Sequence, residues 1–137
     1  MKSFVSEDHL NKTESVHYIM TEESMTWHEA RHTCRSYGGD LVTINNCNEV
    51  GRLSSFMKAM GVRYTWSGLN GLDEIGKYTW IDGDTSTFRN WYYGQPNSPI
   101  SQKCIIIANA NYCPSVITMA DTQCQYKYPA LCELKSK

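Results

Sequence analysis

Three sets of side chains in this sequence have the type and spacing to do chemistry. The first is Gln95-Pro96-Asn97, with Asp121 downstream and Tyr92, Tyr93 and Tyr112 around it. Amide side chains carry both donors and acceptors, and an ionised aspartate accepts from two hydroxyls. A tyrosine ring offers a flat apolar face and keeps its hydroxyl wet. Such a set suits a sugar: the amides orient its hydroxyls, the acid accepts from them, and a ring covers its apolar side. The acetamido group of an N-acetyl sugar would find a donor and an acceptor in the same amides.

The second set is His28-Glu29-Ala30-Arg31-His32. On a helix, this pattern places two imidazoles on one face with a glutamate beside them, the zinc-and-base arrangement of a metalloprotease. Trp27, Ala30 and Cys34 fall at the spacing of a buried face on the same helix. The histidines then flank that face near the surface, and no third ligand follows at a recognised spacing. The favoured reading is a pair of surface histidines with no catalytic zinc and no metal site; incidental metal capture by the pair ranks above catalysis. The third set is acidic, Asp73-Glu74 with Asp82 and Asp84. It is either an accessory calcium site or, the favoured reading, exposed turn residues. No serine sits in a motif that makes it a nucleophile, so the chain is read as not an enzyme.

These groups need a scaffold. Val16–Met20 reads as a first strand, and Thr26 as the N-cap of a helix that Gly38-Gly39 ends. Asp40–Ile44 reads as a short strand. A second helix runs from about Asn48 to Met60 on Val50, Leu53, Phe56 or Met57 and Met60, with Gly61 terminating it. Strands are then expected at Tyr64–Leu69, Tyr78–Ile81, Cys104–Ile107 and Tyr128–Leu134, with Asn70-Gly71 and Asp82-Gly83-Asp84 as turns. Early helices and late strands imply an α+β domain. Residues 1–15 form a tail or an edge strand, and 16–137 the domain.

The 137 residues suit one domain, and the net charge of −1 gives no reason to expect nucleic acid or an anionic membrane as partner. No apolar run has the length of a membrane span. Six cysteines without a Cys-x-x-Cys fit a disulfide framework and a secreted protein. The start of the chain lacks the apolar core of a signal peptide and reads as a mature chain. Asn11-Lys12-Thr13 is a glycosylation sequon, usable only in a secretory protein.

In order and spacing, the markers from Tyr18 to Glu133 resemble the C-type lectin-like domain. Trp27 to Cys34 is similar to that family's first helix, and Gly39-Asp40-Leu41-Val42 to its exit. Trp66-Ser67-Gly68-Leu69 resembles the core Trp-Ile-Gly-Leu strand, with serine at the second position. Trp80-Ile81-Asp82-Gly83 and Asn90-Trp91 match the next markers, which makes Trp66, Trp80 and Trp91 core residues rather than sugar platforms. Gln95-Pro96-Asn97 resembles the sugar-binding tripeptide, and Cys124 through Cys132, with Tyr128-Pro129-Ala130-Leu131 between, the closing segment.

The resemblance implies a fold of two helices, antiparallel sheets and a long disulfide-bounded binding loop, with bridges Cys34–Cys132 and Cys104–Cys124. Cys47 and Cys113 either bond each other or link two chains. Calcium-dependent members hold a cation with the tripeptide, a downstream glutamate and an Asn-Asp pair. Here the tripeptide is neutral, the family's Glu-Asp appears as Gln102-Lys103, and its Trp-Asn-Asp as Met119-Ala120-Asp121. One carboxylate is left where calcium wants six to eight oxygens, several of them charged. The expectation is therefore a secreted, calcium-independent lectin with no cofactor. Its ligand would be a galactose-type or N-acetylated sugar on a glycoconjugate. It would act as a dimer, disulfide-linked or not, because one shallow site needs avidity. By analogy its role is agglutination or innate microbe recognition. The competing expectation is a protein-interaction module on the same fold, with no sugar site.

Overall fold

A hydroxyl and a carboxylate start the first helix. In the computed structural model the Thr26 hydroxyl accepts from the Glu29 N–H at 3.3 Å, and the Glu29 carboxylate accepts from the Thr26 N–H at 2.9 Å. This capping box satisfies two backbone donors that a helix end leaves open. Helix α1 (Trp27–Ser36) follows and buries Trp27, Ala30 and Cys34, the face its spacing predicts. Helix α2 (Cys47–Ala59) begins at Cys47 rather than Asn48, because the Asn46 side chain caps it through the Glu49 N–H. Its buried face ends at Met57, and Met60 is the half-buried C-cap before Gly61, whose φ is 69°.

The structure describes residues 2–7, 15–74, 76–81, 89, 91, 95–98, 100–109 and 117–136. Among them are the strands β1 (Lys2–Glu7), β2 (Ser15–Met25), β3 (Asp40–Leu41), β4 (Tyr64–Glu74), β5 (Lys77–Trp80), β6 (Cys104–Asn109), β7 (Ile117–Thr122) and β8 (Tyr128–Ser136). They order as β1-β2-β8-β4-β6-β7, with β3 on β8 and β5 on β4. The pairs are antiparallel except β4 with β8, which meet in parallel through Trp66 and Ala130. The sheet is thus mixed rather than purely antiparallel. Among the described residues, no helix is long and apolar enough to cross a membrane.

Alternation along the strands sorts the core into two clusters. Ile105 and Ile107 join Tyr18, Met20, Leu69 and Leu131 under Val50, Leu53, Phe56 and Met57 of α2. Ile106 and Cys104 join Ile19, Trp66, Ala130 and Cys132 under Trp27, Ala30 and Cys34 of α1. The sheet therefore lies between the two helices, which is why the isoleucine run is apolar at every position rather than at every second one. The indoles of Trp27 and Trp66 find partners here: Trp27 Nε1 donates to the Ser67 carbonyl at 2.9 Å, and Trp66 Nε1 to the Met25 carbonyl at 2.7 Å. Ser67, the departure from the family's core strand, donates its hydroxyl to the Ile105 carbonyl at 2.9 Å, so β4 and β6 gain a side-chain tie inside the core.

Covalent bonds brace the layers. Cys34–Cys132 joins α1 to β8 across 98 residues, and Cys104–Cys124 joins the start of β6 to the segment after β7. The first closes a loop whose restriction of the unfolded chain contributes about 4–5 kcal/mol on the chain-entropy model. Cys47 is disulfide-bonded too; Cys113 lies outside the described residues, as do the Asn11 sequon and Asp82 and Asp84.

Three local expectations are corrected. Asn70-Gly71 is not a turn: both residues are buried inside β4. Asn70 makes turn-like bonds of its own, from Nδ2 to the Gly68 carbonyl at 3.1 Å and from the Leu72 N–H to Oδ1 at 3.2 Å, and the register with β5 shifts beyond it. Burial and ladder pairing override the local propensity of the dipeptide. Only Asp40–Leu41 of the expected strand Asp40–Ile44 pairs as a strand, although 42–44 stay buried. The first expected strand, Val16–Met20, runs on to Met25 as β2, with a register shift between Met20 and Ser24. The Asp73-Glu74 acids are exposed, and Glu74 pairs with Lys77 at 3.8 Å.

Gly39 is the point where α1's exit crosses β8. A Cβ there would overlap the Glu133 carbonyl and a Leu134 methyl. Gly39→Ala is expected to destabilise the domain by about 1–3 kcal/mol, read as a lower urea midpoint at unchanged slope. An unchanged midpoint would mean the crossing is looser than it looks.

Candidate functional site

The Gln95–Ser98 loop is held by one carboxylate. Asp121 sits on β7 opposite Ile105 of β6 and is only 6% exposed. Its Oδ1 accepts from the Asn97 N–H at 3.1 Å, and its Oδ2 from the Ser98 N–H at 2.8 Å. Hydrogen bonds to an ionised acceptor are roughly twice as strong as neutral ones. The loop then turns on itself: the Ser98 carbonyl accepts from the Gln102 N–H at 2.7 Å and the Ser101 N–H at 3.2 Å. The peptide bond before Pro96 is cis.

The far side of the loop rests on Tyr78. Its hydroxyl donates to the Gln102 carbonyl at 3.1 Å, and its ring meets Trp91 edge-on at 5.5 Å between centroids. Arg89 donates from Nη2 to the Tyr78 carbonyl at 2.9 Å and lays its guanidinium 5.7 Å from the centre of the Trp80 ring. Burial lowers the Arg89 pKa from its ordinary value. Lys103 anchors the loop's end through its carbonyl, which accepts from the Gly71 N–H at 2.7 Å. Cys104 follows immediately, with its disulfide to Cys124.

Of the residues singled out in the sequence, Gln95, Asn97 and Asp121 come together. Asn97 is exposed and Gln95 half-buried, with Gln95 Oε1 buried and without a hydrogen-bond partner among the described residues. Tyr92, Tyr93 and Tyr112 lie outside the described residues. Asp121 also has a job inside the fold. Each of its oxygens accepts from the loop's own backbone, so it positions Asn97 and Ser98. Ser98 and Tyr78 belong to the site although no motif marked them. The only sequence signal for Ser98 is its place directly after the tripeptide. Trp66 and Trp80 are core residues, as the family markers imply, and Trp91 is half-buried against Tyr78.

The His-Glu-x-x-His pattern is accounted for by the helix cap. Glu29 is bound to Thr26, and the Thr26 backbone hydrogen bond holds its carboxyl below the ordinary range. A base committed to a cap is not poised to activate water. Among the described residues, no group of three or more His, Cys, Asp or Glu side chains is arranged to hold a metal.

Tyr78 records the electrostatics of the latch. Burial first, and then the Asp121 charge, push its phenol up to about 12. Burial, helped by the charges of Glu49 and Glu133, raises Tyr18 as well. In the unfolded chain both phenols ionise near pH 10. Below that pH their contribution to stability is fully present. Above it the unfolded state gives up protons that the native state keeps, so stability falls as pH rises from about 10 to 12. Asp121→Asn removes one cause of the Tyr78 shift and is expected to lower its midpoint, followed by tyrosinate absorbance. An unmoved midpoint would place Asp121 too far away to act.

The chain matches the Lectin C-type domain model over residues 23–134. Human C-type lectin domain family 3 member A is 32% identical over 95 residues, which make up 68% of this chain and 48% of that protein. The chain spans about half or less of the length of the curated relatives it matches. Human lithostathine superposes with a TM-score of 0.78 at 22% identity, covering 88% of this chain and 84% of the other. The C-type lectin domain of murine dendritic cell inhibitory receptor 2, solved in complex with N-glycan, gives a TM-score of 0.75 at 21% identity over 88% and 91%. With four-fifths of its length under the family model and the two implied disulfides formed, this chain belongs to the C-type lectin domain family.

Proposed function

We propose that the chain is a carbohydrate-binding lectin whose contact surface is the Gln95–Ser98 loop, and that it binds sugar without calcium. The observation that carries this reading is the latch from Asp121 to the Asn97 and Ser98 N–H groups. A loop held to its scaffold by a buried carboxylate needs no cation to order it. The same latch uses the one acid that the family's cation positions retain.

The remaining donors do not fit calcium. Gln95, Asn97 and Gln102 offer neutral amide oxygens, Ala120 offers no side-chain oxygen, and Lys103 brings a positive charge to the segment. Calcium takes its affinity from the number of charged ligands around it. The amides suit a neutral ligand instead. Exposed Asn97 presents a donor and an acceptor to sugar hydroxyls or to an acetamido group, with Gln95 beside it. Tyr92, Tyr93 or Tyr112 would cover the ring. A glycan is also the ligand named for the murine receptor domain that shares the fold. We assign the ligand to galactose-type or N-acetylated sugars of glycoconjugates. The proposed setting is outside the cell, with two or more copies giving avidity for agglutination or for binding microbial surfaces. We take residues 16–137 as the unit, with β1 (Lys2–Glu7) at its sheet edge.

Glycan-array binding run with calcium and with a chelator tests this. Equal signals in the two arms are expected. Asn97→Ala and Gln95→Ala are each expected to weaken binding several-fold to about tenfold, the scale of one or two lost hydrogen bonds. Signal lost in the chelator arm would overturn calcium independence. No glycan bound in either arm would favour the protein-interaction module.

A further inference from the structure

We propose that His28 and His32 form a binding site for an imidazole-preferring divalent transition-metal ion, separate from the sugar loop. Both side chains are exposed on α1, one helical turn apart. Residues at i and i+4 on a helix stand about 5–6 Å apart at Cβ, close enough for two imidazoles to reach one ion at about 2.0–2.1 Å each. Neither ring hydrogen-bonds to a described residue, so neither has to break a bond to bind.

The backbone beneath them is rigid for reasons already described. The Thr26–Glu29 capping box fixes the first turn, Trp27 is buried, and Cys34 is bonded to Cys132. The His28 ring also stands edge-on to Trp27, with centroids 5.1 Å apart at 89°, which restricts its orientation. Two ligands held in register gain the chelate advantage of a second contact made at high effective concentration. Glu29 is occupied by the cap, so the site has two protein ligands and leaves its other coordination positions to water. It is a binding site without a hydrolytic base. Among ions that imidazole suits, copper(II) should bind most tightly, followed by nickel(II) and zinc(II).

The test is calorimetric titration of the intact, untagged protein with copper(II), repeated with nickel(II), in a non-chelating buffer. One high-affinity site per chain is expected. His28→Gln or His32→Gln should each weaken it about 100-fold, the scale of a lost chelate contact. Glu29→Gln, which keeps the cap, should leave it unchanged. Because both histidines are exposed, the variants should keep the parent melting temperature without metal. The parent alone should gain stability as metal is added. Binding that survives the double histidine variant would place the metal elsewhere on the chain and overturn the proposal, as would the absence of a resolved site. A loss of binding with Glu29→Gln would also overturn the two-ligand geometry.

Discussion

A carboxylate buried against two backbone N–H groups organises the Gln95–Ser98 loop of this domain. Burying a charge is costly unless hydrogen bonds replace the water it loses. Asp121 meets that condition by taking its donors from the loop it supports. The cost of burial and the order of the loop are therefore one interaction. Removing the acid would release the loop, and displacing the loop would leave the acid unpaired.

Everything that places Asp121 lies in the regular structure of the domain. Strand β7 pairs with β6 from Cys104 to Asn109, and the Cys104–Cys124 bond closes that pair at the loop end. Strand β6 is buried on both faces between α1 and α2. Tyr78, on β5, braces the loop's return from the other side. The regular structure thus forms a rigid base from which short irregular backbone projects, the usual division between scaffold and loop. The positions of Asn97 and Gln95 follow from that base.

Much of this was legible in the sequence where the signals are local. Thr26, Glu29 and the Trp27-Ala30-Cys34 spacing are enough to place α1, because caps and amphipathic periodicity act within a few residues. The disulfides and the tripeptide were legible through the family's ordered markers. Where burial competes with local propensity, the sequence misleads: Asn70-Gly71 has turn chemistry yet lies inside β4. Strand β7 had no expected counterpart, since Ile117–Thr122 is short and mixes apolar with polar residues. The role of Asp121 was hidden for a different reason. Its partners are backbone N–H groups 24 and 23 residues away, and every non-proline residue carries such a group. No residue type marks the partner of a carboxylate that binds main chain. The histidine pair shows the converse, a strong motif whose acidic member is used for a helix cap.

Amide hydrogen exchange at Asn97 and Ser98 reports whether Asp121 orders the loop with no cation present. In calcium-free, chelator-containing buffer, both amides are expected to be protected, and added calcium to leave their exchange unchanged. The protection should vanish in Asp121→Ala while amides in β6 stay protected. Fast exchange at both amides in chelator, with protection appearing only when calcium is added, would contradict it.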